Sequence, residues 1–106
     1  MSDCVRQSLV LLEVIAKTKK PALVIKQAIN KGGDTLVNAI TEIVHNILFG
    51  RIRLSNTDKQ KLTKVKPILR KLANKEIVGR KRICIRNPDI VQATVRIALP
   101  TIKILQ

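Results

Sequence analysis

The chain contains a single aromatic residue, Phe49, and neither Trp nor Tyr. This removes the stacking platforms on which most single-strand and RNA-reading modules depend. One His and two Cys leave few parts for metal or nucleophile chemistry. Cys4 and Cys84 are eighty positions apart, which fits neither a disulfide framework nor a metal-ligand spacing, so both read as reduced thiols. Acidic residues are also scarce, and seven Asp and Glu scattered along 106 residues form no paired-carboxylate site. No cofactor, metal or catalytic activity is therefore expected. No apolar run approaches the roughly 20 residues of a membrane span. The opening Met1-Ser2-Asp3-Cys4 lacks the cationic stretch of a secretory leader. An intracellular, non-secreted protein with no membrane partner is expected.

What is present is an ordinary apolar content of 45% and a formal charge of +14. The first describes a chain that folds, and the second one that is strongly basic. The apolar spacing is helical. A helix over 4–17, capped by Ser2 or Asp3, ends at Lys17-Thr18-Lys19-Lys20-Pro21, and Pro21 opens a second that Gly32-Gly33 stops near Asn30. Asp34 or Thr35 then caps a third, in which Leu36, Ile40, Ile43, Val44, Ile47 and Leu48 form an apolar stripe. Asn38, Thr41, Glu42, His45 and Asn46 form its polar face. His45, with no nucleophile indicated beside it, reads as a solvated helix histidine. Gly32-Gly33-Asp34 reads as cap and turn, because the Lys-Ser/Thr of a phosphate-binding loop is missing.

After Gly50, Arg51-Ile52-Arg53-Leu54 reads as an extended link with its arginines outward. Ser55-Asn56-Thr57-Asp58 fits a capping box for a basic helix over 56–75, with Leu62, Val65, Leu69 and Leu72 on one seam and a kink at Pro67. Past Gly79, the alternation in Arg80–Arg86 suggests extended chain. Asn87-Pro88-Asp89 starts a helix over 88–98 that Pro100 ends. The expectation is a mainly α protein, a small helical domain of three to four helices. Residues 1–76 form its core, including basic helix 56–75, and 77–106 form a basic link and an apolar C-terminal arm.

The charge is lopsided. Residues 51–86 hold thirteen basic and two acidic side chains. In the basic helix Lys59, Lys66 and Arg70 form one row, Lys64, Lys71 and Lys75 another, with Lys61 between them and solvent. Arg51 and Arg53 extend this ridge on one side, and Arg80, Lys81, Arg82 and Arg86 on the other. Self-repulsion of this kind destabilises a compact chain unless a polyanion neutralises it. Lysine engages phosphate as a point charge, so the pattern points to the nucleic-acid backbone with little base preference. Gly79-Arg80-Lys81-Arg82 also fits a short nuclear-import signal.

The run Leu36 to Gly50, ending Asn46-Ile47-Leu48-Phe49-Gly50, is followed by Ile52-x-Leu54-Ser55, by Lys59-Gln60-Lys61-Leu62 and by Leu69-Arg70-Lys71-Leu72-Ala73-Asn74-Lys75. In that order of features the chain resembles, over residues 9–85, the small basic proteins of adintoviruses and related Polinton-like DNA viruses. Those proteins continue into a Gly-Gly-Phe-Leu-Pro tail; this chain has Arg86-Asn87-Pro88-Asp89 instead. The resemblance implies a virion-associated protein, present in the virion and host nucleus, and supplies no catalytic residues.

Two functions follow. The first is a non-enzymatic protein that binds DNA, ahead of RNA, through its phosphates and helps condense or anchor a viral genome. The second is a minor capsid or cement protein whose arm docks on a coat protein through Ile90, Val91, Val95, Ile97 and Leu99, a set too apolar to stay bare. The same arm has two other possible partners, its own core and a second copy. The apolar surface of 9–16 also fits a homodimer. A membrane-surface role for the basic helix is a third reading, weakened by the missing interfacial Trp and Tyr.

Overall fold

Helix starts in this chain are set by small polar caps and by proline. In the computed structural model, which describes residues 2–105, the Ser2 hydroxyl accepts the Val5 amide and opens α1 (Asp3–Gln7). The expected helix 4–17 is divided at Ser8, whose ψ of 0° leaves the helical range, and α2 (Leu9–Lys17) follows. Serine is a weak helix-interior residue because it competes for backbone hydrogen bonds.

Pro21 is the first residue of α3 (Pro21–Leu48), which holds two helical stretches joined across a kink, as the sequence predicts. The interruption falls at Gly33, with φ 56° and ψ −143°, a conformation that glycine alone adopts readily. Gly32 is required for a different reason. A Cβ there would come within 2.8 Å of Leu11 Cδ1 and Leu36 Cβ, so a side chain has no room between α2 and α3 at this point.

The Ser55 hydroxyl accepts the Asp58 amide at 3.1 Å and starts α4 (Asn56–Thr63). The expected helix 56–75 does not continue. Pro67 needs a first-turn position, so the chain breaks at Lys64–Val65 and restarts as α5 (Lys66–Ala73).

Residues 80–86 are helical, not extended, and form α6 (Arg80–Arg86) behind Gly79, whose φ is 88°. Cys84 is fully buried with Ile83 half-buried beside it, while Arg82 and Arg86, four apart, are exposed. The inward and outward sets therefore repeat at a helical period, which the two-residue alternation of Ile83 and Ile85 obscured.

The last helix also differs from expectation. α7 (Pro88–Leu105) runs through Pro100, which faces solvent, and carries Ile102 to complete burial beyond it. Val91 and Val95 are fully buried and Leu99 nearly so, with Ile90 and Ile97 half-buried against the same core. Of the occupants weighed for the arm, the chain's own core is the one observed. The radius of gyration, 12.3 Å, matches the roughly 13 Å expected for a compact chain of this length, and no C-terminal arm protrudes.

The architecture is mainly α, with seven helical segments and no strand among the described residues. α3 is the central element, touching α1, α2, α5, α6 and α7. α7 is fastened to the end of α2 by polar side chains. The Gln92 amide donates to the carbonyls of Ile15 and Thr18 at 3.0 and 2.7 Å, and Arg96 Nε donates to that of Ala16 at 2.6 Å. These are the carbonyls a helix C-terminus leaves without intrahelical donors. Lys103 meets Glu13 at 2.8 Å, and its hydrogen bond and charge hold that carboxyl below its ordinary value of 4.5. No helix among the described residues is long and apolar enough to cross a membrane.

Candidate nucleic-acid interface

The basic surface is built outward from the end of α3. Gly50, with φ 73°, turns the chain, and the Arg51 amide donates to the Asn46 carbonyl at 2.8 Å. Ile52 then plugs the core while Arg51 and Arg53 face solvent, as the alternation in this link predicts. Leu62, Leu69 and Leu72 are buried and Val65 half-buried in the same core; α5 packs on α3 and α6, and α4 is anchored by Leu62. The remaining surface of both helices is open. Lys59, Lys61, Lys64, Lys66, Arg70, Lys71 and, just past α5, Lys75 are all exposed.

Few of these charges are neutralised within the chain. The ion pairs among the described residues are Arg6–Asp3, Lys81–Asp34 and Lys103–Glu13. Arg53 and the seven ridge cations from Lys59 to Lys75 therefore have no acidic partner within 4.0 Å among the described residues, and the same holds for Arg82 and Arg86. Helix dipoles favour Lys61, Arg70 and Lys71, which lie in last turns. They do not favour Lys66. It stands at the positive end of α5, whose first turn has no acid, an arrangement that costs about 0.3–1 kcal/mol unless an anion is near.

Three of the thirteen predicted contacts are engaged elsewhere. Arg80, half-buried, donates to Thr41 Oγ1 at 2.7 Å and Asn38 Oδ1 at 3.1 Å. Lys81 meets Asp34 at 3.1 Å. Arg51 donates to Asn46 Oδ1 at 3.4 Å and remains exposed. The cations of 53–75 are thus exposed on and beside α4 and α5, whereas Arg80 is a structural group. Thr41 and Asn46, predicted on a polar outer face, are buried beneath these two arginines.

Two clefts border the ridge. One, of 480 Å³, has an apolar floor that includes Ile52, Leu54 and Leu62, and Arg53, Lys59 and Lys66 at its edges. The other, of 470 Å³, lies between the end of α3 and the length of α5. Leu48 and Lys66 line both. In the second cleft stands a feature that composition did not suggest. Phe49 is 67% exposed, and its ring lies 4.4 Å from that of His45, tilted by 35°. Their i,i+4 spacing was the available signal. His45, expected to be solvated, is half-buried in this pair.

Cys84 is buried, and that burial pushes its thiol up to about 11; Cys4 is half-buried, and both are free. Among the described residues, no group of three or more His, Cys, Asp or Glu is placed to hold a metal ion. No family model matches the chain, and no curated protein or solved structure is significantly similar to it.

Proposed function

We propose that this protein binds nucleic acid, DNA in the first instance, through phosphate contacts along α4 and α5. It does so without catalysis and with little preference for sequence. The single observation that carries the reading is the exposed row of ridge cations with no acid opposite them. In an ordinary solvated face the two signs are interspersed; here Asp3, Glu13 and Asp34 pair elsewhere and Asp58 stands at the start of α4. A duplex carries one charge per about 1.7 Å, and each phosphate engaged releases condensed cations. Relief of self-repulsion adds to the gain on binding. Condensing or anchoring a viral genome, in the virion and host nucleus, is the role that the resemblance adds to this chemistry.

The test is a titration of several unrelated duplexes across a salt series. Similar affinities are expected, with log K falling steeply against log salt by about 0.9 per phosphate engaged. A flat salt response overturns the proposal.

A further inference from the structure

We infer that Phe49, backed by His45, is a stacking platform for one unpaired nucleobase, so that the protein holds single-stranded nucleic acid more tightly than duplex. The inference rests on the phosphate-binding reading above and adds the type of strand.

A lone exposed phenylalanine needs no explanation. This one is held in place. It directly follows α3, and its amide donates to the His45 carbonyl at 3.0 Å. The imidazole covers part of one side of the ring at 4.4 Å, and two-thirds of the residue stays open. A ring already resting on a neighbour, on a backbone that is hydrogen-bonded, loses less freedom when a base settles on it than a wholly free one. The surroundings suit a nucleotide. Lys66 and Arg70 line the same 470 Å³ cleft, placing cations beside the ring where a strand's phosphates would run. Lys66 also borders the adjoining cleft, with Arg53 and Lys59 further along. A strand laid with one base on Phe49 therefore has a cationic track on either side of Lys66. A paired base is stacked inside its duplex and cannot reach the ring; an unpaired base can. Sequence tolerance is preserved, since every base offers a π face.

The experiment uses the full chain and short oligodeoxynucleotides. Single strands carrying one 2-aminopurine are titrated beside a duplex of the same length, for the wild type, Phe49→Ala and Phe49→Leu. Phe49 lies outside the core, so both variants are expected to keep the helical circular dichroism of the parent. The expected result is tighter binding of the single strand, with quenching of the 2-aminopurine. Phe49→Ala and Phe49→Leu should each weaken single-strand binding by roughly tenfold, the scale of one base–aromatic stack, and leave duplex affinity and its salt slope unchanged. Unaltered single-strand affinity in Phe49→Ala, or wild-type affinity in Phe49→Leu, overturns the platform while a persisting salt slope leaves the phosphate reading standing. Absence of binding to either probe at low salt overturns both.

Discussion

Arg80 donates a 2.7 Å hydrogen bond to the hydroxyl of Thr41, a residue 99% buried, and so ties α6 to the C-terminal half of α3. Its second terminal nitrogen reaches Asn38. A residue that sequence places on the cationic ridge is thereby part of the fold. Arg80→Ala leaves two acceptors short of a donor, a loss of about 1–3 kcal/mol. Urea unfolding should show this loss. The salt dependence of DNA binding, measured where the variant is folded, should match the wild type.

The ridge lysines behave in the opposite way. Lys61, Lys64 and Lys71 are exposed and have no acid opposite them among the described residues. Neutralising each to Gln should leave the unfolding midpoint within about 0.5 kcal/mol of the wild type. Each substitution that removes a phosphate contact should lower the slope of log K against log salt by about 0.9. A triple variant with an unchanged slope would place the contact surface elsewhere.

Much of this arrangement is legible in the sequence because its signals are local. Ser55 with Asp58, Pro21 at a helix start, and the Ile52–Leu54 link each announce their own conformation, and the Leu62–Leu69–Leu72 seam announces which side of α4 and α5 is buried. The surplus of cations over 51–86 marks the surface with no knowledge of the fold. What was hidden depends on distant partners. Nothing near Arg80 indicates that Thr41 and Asn38 will accept from it, thirty-nine and forty-two residues away. The alternation of Ile83 and Ile85 satisfies a strand rule that the burial of Cys84 overrides. The end of α7 is hidden because proline ordinarily stops a helix and nothing local shows that Ile102 has a core to enter.

Gln92 joins α7 to the open end of α2 through two carbonyls, those of Ile15 and Thr18, and is itself buried. Gln92→Leu removes both donors and should cost about 1–3 kcal/mol. Gln92→Glu keeps the shape but faces a carboxylate toward the negative end of a helix. It should therefore be the more destabilised of the two at neutral pH and recover part of the difference in acid. Denaturant midpoints at pH 7 and pH 4 check the order.

Cys84 supplies a pH dependence whose sign is fixed by burial. Its thiol is pushed up to about 11 from an ordinary 9.0, chiefly by desolvation and in spite of the charge of Arg80. A raised value in the folded state means that its contribution is complete below about 9 and is lost as pH rises towards 11. The wild type should lose stability across that interval more steeply than Cys84→Ala. Iodoacetamide at pH 8 should label Cys84 only when denaturant is present, as peptide mass analysis would show.

Pro100 provides the sharpest test of how the last helix is held. It is exposed, as is Arg96 one turn earlier, and it has no amide to offer the Arg96 carbonyl. A proline inside a helix costs about 3 kcal/mol. Full burial of Ile102, two residues on, contributes about 1.5–3 kcal/mol. The solvent-exposed pair Lys103–Glu13 adds little. The opposing effects are nearly equal, so the final turn stands close to balance. Pro100→Ala restores the missing donor but releases about 0.4–1 kcal/mol of restraint on the unfolded chain. A net gain of about 2–2.6 kcal/mol is expected, with slower amide exchange over residues 101–104. Ile102→Ala should move both measurements the other way. A loss of stability in Pro100→Ala would mean that the chain leaves the helix at Pro100.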